Sequence, residues 1–397
     1  MTSRLTSPYF TAEHEAFRLH VRAVLEAEVA GFAAEWERER RLPRRLWKTL
    51  ADHGLLGLRY ARDDGGTGQD LFTSVVFLEE LGRTGCGGLR AAVAVHAYMA
   101  THYLAAVGGP ALRAAYLAPC IRGERVAALA LTEPGAGSDL SGMTTTAVRD
   151  EDAYVVHGTK SMVSNGTTAD FHIVAARTTP AAPGGNRGRT GLSLLVVDAD
   201  TPGVTAQPQP TLGWRAADTA KVTYDQVRVP VGNLVGRQDS GFYYLMRGLP
   251  FERLAAAALA LGGMDRCLEQ TLRFTRARRA FDGPLAGMQA LRHRLADLAT
   301  ELEAARHLVH HTAWRVQQGD IAFTACAMAK LHTTELACRL ADTSLQLHGS
   351  AGYEEDSEAA RTYRDARAAT IAAGPSEVMR DLIAGELVGP QGAGEES

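Results

Sequence analysis

The stretch Leu131-Thr132-Glu133-Pro134-Gly135-Ala136-Gly137-Ser138-Asp139 combines glycines with hydroxyl and carboxyl side chains directly after an apolar run. Such a loop can turn backbone N–H groups and side-chain oxygens toward a polar, anionic ligand. The same residue types also build plain turns, because Pro-Gly and Gly-Ser-Asp favour them. The spacing is neither G-x-G-x-x-G nor a P-loop, so those two phosphate cradles are not predicted. Cys86, Cys120, Cys267, Cys326 and Cys338 form no C-x-x-C pair. Five scattered cysteines argue against a zinc cage or a disulfide framework, and no metal is expected. A reducing, cytoplasmic location fits that usage.

The elements that must position this loop follow from patterning. The 397 residues carry 46% hydrophobic and 22% charged side chains, an ordinary globular mix long enough for two or three domains. A net charge of -3 supplies no basic field for nucleic acid. Of the 42 basic residues only Lys48, Lys160, Lys221 and Lys330 are lysines. No apolar stretch of about 18 residues occurs, so no membrane span is predicted. The start, with Glu13 and Glu15 in an amphipathic run, has no apolar core of a signal peptide.

Apolar spacings of three and four predict helices over 11–35, from Arg44 after Pro43, and over 70–83, 89–107 and 110–121. From Val126 to Gly236 the signals become short β runs: 153–157, 171–175, 192–197 and 222–224, with an exposed loop over 179–190. No helical periods separate them, which predicts an antiparallel barrel or sandwich rather than a doubly wound sheet. Beyond residue 240 the chain is helical again. Met288, Leu291, Leu295, Leu298, Leu302 and Leu308 mark the seam of a long bundle helix. Pro250, Pro284 and Pro375 fall near helix starts or breaks. The expected fold is α+β but mainly α. An N-terminal helical domain (1–125) is followed by a middle β domain (126–236) and a C-terminal four-helix bundle (237–397) with a frayed polar end, Gln391–Ser397.

Thr132 to Asp139 resembles the flavin-loop signature of the acyl-CoA dehydrogenase family. Further segments match in order: Gly158-Thr159-Lys160-Ser161-Met162-Val163-Ser164-Asn165-Gly166, Asp218-Thr219-Ala220, Arg278-Arg279-Ala280-Phe281, Gln289, Gln346-Leu347-His348-Gly349 and Tyr363-Arg364-Asp365-Ala366. The resemblance covers about residues 10 to 390. It implies FAD and a homotetramer built as a dimer of dimers, or a homodimer. It places Leu131, Thr132, Gly137, Ser138, Met162 and Ser164 at the flavin, with Thr132 on the ring edge and Ser164 near N5. A donor near N5 helps stabilise the charge of a reduced flavin. Arg278 and Gln346, with Phe281, Gln289 and Gly349, match positions that hold the diphosphate and adenosine end of a neighbouring subunit's FAD. A guanidinium suits a diphosphate through its charge and forked donors. In Arg278 the plain alternative is a solvated cation.

Most of the resembling family carries its catalytic glutamate in a Tyr-Glu-Gly-Thr segment. Here the match is Ala372-Ala373-Gly374-Pro375, and Ala373 cannot act as a base. The isovaleryl and long-chain branches instead place a glutamate in a Glu-Arg-Leu segment, matched by Glu252-Arg253-Leu254. The continuation Glu377-Val378-Met379 also fits the long-chain branch. Glu252 is therefore the expected base. The bland alternative is a carboxylate complementing a helix N-terminus just after Pro250. The backbone N–H of Ala373 can still receive a thioester oxygen. Met162 stands where an aromatic is usual, Asp282 where glycine is, and Pro375 where Thr or Asn is.

The implied activity is α,β-dehydrogenation of an acyl-CoA or acyl-carrier-protein thioester in lipid or polyketide metabolism. An electron-transfer flavoprotein or oxygen would be the acceptor. A flavin monooxygenase of the same fold needs no glutamate, so Ala373 admits it while Glu252 opposes it. A non-catalytic or nucleic-acid-associated relative is disfavoured by the net charge.

Overall fold

Helices form wherever the sequence offers a cap and an apolar stripe. Thr11 opens the helix Ala12–Glu28 with a reciprocal cap: its Oγ1 accepts from the His14 N–H at 3.3 Å, and a His14 ring nitrogen accepts from the Thr11 N–H at 3.0 Å. The computed structural model describes residues 7–180 and 190–389. The expected loop over 179–190 lies almost wholly outside those residues, as does the polar tail Gln391–Ser397. Two compact units emerge, each discontinuous in sequence. Among the described residues no helix is long and apolar enough to cross a membrane.

The first unit comprises residues 1–34, 71–86 and 250–397. It holds Ala12–Glu28, Leu71–Gly82, most of Gly241–Ala277, and the helices Gln289–Gln317, Phe323–His348, Glu358–Ala369 and Ser376–Val388. In Gln289–Gln317 the buried stripe runs Leu295, Leu298, Leu302, Ala305, Val309 and Ala313. Leu295, Leu298 and Leu302 are the expected seam; Met288 precedes the helix, Leu291 is half-buried, and the stripe continues through Ala305 and Val309 rather than Leu308 in steps of three and four. Gly82 and Gly262 lie where Leu71–Gly82 crosses Gly241–Ala277. A Cβ on Gly262 would sit 1.8 Å from the Glu79 carbonyl oxygen, so only glycine permits that approach. The helix expected over 11–35 breaks after Glu28 and resumes as Ala33–Glu39.

The second unit comprises residues 35–70 and 87–249. Its sheet contains β1 (Ala127–Ala130), β2 (Thr146–Asp150), β3 (Ala153–Val163), β4 (Phe171–Arg177), β5 (Leu192–Asp198), β6 (Val204–Pro208), β7 (Ala220–Pro230) and β8 (Leu234–Val235). The order is β6-β7-β3-β2-β4-β5-β8, with β1 added to β4. The sheet is mixed rather than wholly antiparallel, because β1 pairs parallel to β4 and β2 touches β4 in parallel at Thr146 and Arg177. The β2–β3 hairpin supplies the long crossover that a parallel pair needs. β4 and β5 are buried on both faces, which is why they read as unbroken apolar runs. Phe171, Ile173 and Ala175 pack with Leu117 and Tyr116, while Val174 and Ala176 pack with Val222 and Tyr224. The helix expected over 89–107 is continuous from Gly87 to Val107, but Val95–Ala100 widens to π-type hydrogen bonding.

A buried ionic cluster organises the first unit. Glu79 accepts from Arg18 Nη1 at 2.6 Å and lies 2.6 Å from His310 Nε2. Burial opposes the charged form, yet the His310 hydrogen bond and the Arg18 charge win and hold the carboxyl well below the ordinary glutamate value of 4.5. The resulting stabilisation is present above that value and is lost as pH falls below it. Glu79→Gln is expected to lose about 3 kcal/mol, because buried Arg18 would lose its shortest ion pair and keep only the longer contacts to Glu80 and Glu15. Denaturant unfolding at pH 7 measures this, and a midpoint equal to the parent's would refute the assignment.

Candidate active site

The loop after β1 is shaped by one carboxylate. Glu133, 4% exposed, receives Lys160 Nζ at 2.8 Å, the Thr145 N–H at 2.9 Å, and both the N–H and Oγ1 of Thr144 at 2.7 Å. Lys160 also donates to the Leu131 carbonyl at 3.1 Å. Burial pushes Glu133 up, but Lys160 and the threonine donors bring it down to about 2. Burial lowers Lys160 to about 8 against the pull of Glu133. Reciprocal backbone bonds between Glu133 and Ala136 then close the turn, with N···O distances of 2.9 and 3.2 Å.

Around this anchor the loop stays open. A Cβ on Gly135 or Gly137 would meet no atom of the chain within 4 Å. Protein packing does not require those glycines; a ligand approaching the backbone would. No described residue hydrogen-bonds the Thr132, Ser138 or Ser164 hydroxyl. The Ser161 N–H donates to the Thr132 carbonyl at 2.9 Å, so the 131–138 loop and the end of β3 form one edge. Met162 sits there with φ +58° at a break in β3–β7 register, and its side chain is 52% exposed. The bulge turns it outward from the sheet. Beyond it Asn165 donates to the carbonyls of Ala92 and Ala127, and Asp218 accepts from the N–H groups of Thr167 and Thr168 at 2.9 Å. These contacts fix the turn that carries Ser164. Leu131, Thr132, Gly137, Ser138, Met162 and Ser164 are thus gathered on one side of the second unit. Open donors on a rigid edge suit a planar, polar, anionic cofactor.

The first unit carries the remaining candidates. Glu252 is 4% exposed and Arg253 3% exposed. Glu252 lies twelve residues into the helix Gly241–Ala277, with Pro250 inside that helix. The expectation of a helix start there is corrected, and a dipole at the helix N-terminus does not explain a carboxylate in the interior. Arg253 stacks 4.9 Å over the Phe323 ring, and its Nε and Nη1 find no hydrogen-bond partner among the described residues. Burial pushes its guanidinium down and the Glu252 charge opposes that. Ala373 has φ +54°, and no described residue accepts from its N–H.

Arg278, Phe281, Gln289, Gln346 and Gly349 are all exposed. The Phe274 and His348 rings meet with centroids 4.3 Å apart and planes tilted by 32°, and the Arg278 N–H donates to the Phe274 carbonyl. The Arg278 and Gln346–Gly349 segments therefore share one end of this unit. Phe281, 92% exposed at φ +50°, stands on the adjoining turn. Arg278 has no ion-pair partner among the described residues, as expected of a cation kept for a ligand or for solvent. No cluster of three metal-ligating side chains occurs among the described residues.

A helical segment, a sheet with an open donor loop and a helical bundle define the class as a flavin-type dehydrogenase fold. The comparisons resolve it further. Profiles of the acyl-CoA dehydrogenase N-terminal, middle and C-terminal domains match residues 11–124, 128–227 and 239–388. The chain belongs to the acyl-CoA dehydrogenase family. It is 35% identical to the mitochondrial long-chain specific acyl-CoA dehydrogenase of Sus scrofa over 380 residues, 96% of this chain and 87% of that protein. The acyl-CoA dehydrogenase structure from Geobacillus kaustophilus superposes with a TM-score of 0.92 at 38% identity, covering 96% of this chain and all (100%) of that one. The prolyl acyl carrier protein oxidase AnaB superposes with a TM-score of 0.89 at 28% identity, covering 96% and 100%. The enzyme is an FAD-dependent oxidoreductase acting on acyl thioesters.

Lys160 and Asp218 lie in segments that resemble the family's, and residue type alone assigns neither a role. A lysine in a chain with four of them was a usable signal for Lys160. Lys160→Met is expected to leave Glu133 buried without its cation, costing about 3 kcal/mol and loosening the loop. FAD content of the purified variant, read from the ratio of flavin to protein absorbance, should fall. Full occupancy with an unchanged melting temperature would refute the anchor.

Proposed function

We propose that Glu252 removes the α-proton of the acyl thioester and that the Ala373 N–H holds the thioester oxygen. The observation that carries this reading is a glutamate 4% exposed, neighbouring a buried arginine, in a chain whose other family base position is Ala373. A carboxylate withheld from bulk water is a stronger base than a solvated one, and the adjoining Arg253 guanidinium supplies an opposite charge beside it. General-base catalysis of this kind is worth roughly 10²–10⁴ in rate. As the proton leaves, negative charge builds on the thioester oxygen, and a fixed N–H aimed at it lowers that barrier.

Thr132, Ser138 and Ser164, with Leu131, Gly137 and Met162, would hold the flavin ring. Arg278 and Gln346, with Phe281, Gln289 and Gly349, would hold the diphosphate and adenosine end of a neighbouring subunit's cofactor, which calls for a homotetramer or homodimer. When bound, FAD accepts the hydride from the β carbon. The re-oxidising partner is an electron-transfer flavoprotein or oxygen. Likeness to a carrier-protein oxidase supports testing carrier-bound acyl groups beside CoA thioesters. The alternative, a flavin monooxygenase, draws on Ala373 alone.

Anaerobic mixing with a panel of CoA and carrier-protein thioesters should bleach the flavin band. Bleaching only by a reductase with NAD(P)H would replace dehydrogenation by monooxygenation. Glu252→Gln should retain FAD yet slow this bleaching by about 10² or more, and an unchanged rate removes Glu252 from the mechanism. Arg278→Ala should lower FAD retention and weaken the oligomer, both readable by gel filtration with absorbance detection. Parent-like occupancy and size would count against its role.

A further inference from the structure

The turn Ala372–Pro375 holds two consecutive residues in the left-handed region, Ala373 at φ +54° and Gly374 at φ +94°. For alanine this conformation costs on the order of 1–2 kcal/mol, so neighbouring contacts must impose it. Before the turn, the Ala372 N–H donates to the Ala368 carbonyl at 3.0 Å; after it, the Ser376 N–H donates to the Thr370 carbonyl at 3.1 Å. At the turn itself Lys330 Nζ donates to the Gly374 carbonyl at 2.7 Å.

Lys330 is fully buried within the helix Phe323–His348. The Gly374 carbonyl is the one hydrogen-bond acceptor of its ammonium among the described residues. Burial, with the Arg253 charge second, lowers its proton affinity to about 8. An ammonium placed out of water against a single carbonyl is a poor way to fill a core, where leucine or methionine would pack without desolvation cost. Its geometry suits a clamp. The carbonyl it grips belongs to the peptide preceding Pro375, which has no N–H, so the turn cannot be secured by a backbone donor at that point.

We propose that Lys330 is a positioning residue for the thioester oxygen, gripping the Gly374 carbonyl so that the unpartnered Ala373 N–H stays aimed at the charge built there. This rests on the reading of Ala373 N–H as the oxygen's donor and Glu252 as the base. A lysine that merely filled space would support binding of any acyl ligand alike. A positioning lysine favours ligands with a carbonyl oxygen that becomes negative.

The test titrates FAD-loaded protein with two CoA derivatives of equal chain length. One is a thioester with sulfur in place of the β carbon, which can lose its α-proton but has no β-hydrogen to give. It therefore halts as the enolate and reports through long-wavelength flavin absorbance. The other is a thioether lacking the carbonyl. Lys330→Met is expected to weaken the thioester analogue about tenfold, one hydrogen bond to a charged group, while thioether affinity stays within about twofold. Its kcat should fall more than its KM rises, and Lys330→Arg should recover most of the loss. Equal weakening of both ligands, or of neither, overturns the proposal. Should Lys330→Met fail to fold, Gly374→Ala moves the same carbonyl from the other side, since its Cβ would lie 2.7 Å from Met379 Cε at an unfavourable φ. The same selective loss is expected there, and parent-like analogue affinity would overturn the proposal. Glu252→Gln in the same titration separates the two claims. If it forms the enolate band as the parent does, the base assignment fails; if it does not and Lys330→Met is parent-like, only the Lys330 proposal fails.

Discussion

A carboxylate sealed from water decides how the open loop of the second unit is held. Desolvating Glu133 costs several kcal/mol unless its oxygens are filled, and here a lysine, two backbone N–H groups and a hydroxyl fill them. Three stretches of chain are drawn to one point: the end of β1, the approach to β2 and the middle of β3. Because charge rather than apolar packing holds the turn, its outer side needs no cover. The backbone at Gly135 and Gly137 can stay bare and the hydroxyls of Thr132 and Ser138 unspent. Rigidity without a lid of side chains is what a cofactor-binding edge needs, since donors fixed in advance lose little freedom when the ligand arrives.

The first unit solves a related problem with opposite sign. Arg18, Glu79 and His310 form a closed buried cluster in which the carboxylate meets both the guanidinium and the imidazole. Arg253 and Lys330 hydrogen-bond no carboxylate among the described residues: the first lies on Phe323 with two orphaned nitrogens, and the second meets a single carbonyl. Unsatisfied buried donors are rare in folded proteins because each carries a desolvation penalty. The Arg253 nitrogens lie next to Glu252 in sequence, and the Lys330 carbonyl partner follows Ala373, the two positions on which the proposed chemistry rests.

Much of this architecture was legible in the residues. Helices with a clear stripe, such as Gln289–Gln317, and strands with unbroken apolar runs, such as β4 and β5, follow from periodicity alone. What escaped has physical causes. The parallel pairing of β1 with β4 joins strands about forty residues apart, and no local signal encodes that register. The π-type stretch Val95–Ala100 has the composition of ordinary helix. Pro250 reads as a helix start because its missing N–H is harmless there, yet it sits inside Gly241–Ala277. Met162 gave no hint of a left-handed backbone, since the bulge arises from the mismatch between β3 and β7. The loop over residues 131–139 was legible because it repeats a family signature, whereas Lys330 was visible only as one of four lysines.

The proposed base, Glu252, lies on a helix rather than on the 372–375 turn, which on that reading changes what the turn must do. With a glutamate at the turn, one residue would supply both the proton acceptor and the N–H that meets the thioester oxygen. With Ala373 there, only the N–H remains, and the turn loses any orienting contact a longer side chain could make. Its left-handed geometry must then be held from outside. A lysine reaching from the facing helix can do so, and its charge adds a second effect. Lys330 and Arg253 put two cations in this part of the bundle, with Glu252, Glu335 and Glu377 as the acidic neighbours that offset them. On the proposed reading, a cation fixed beside the turn before the proton moves is still in place when charge reaches the thioester oxygen, so the environment need not reorganise during the step.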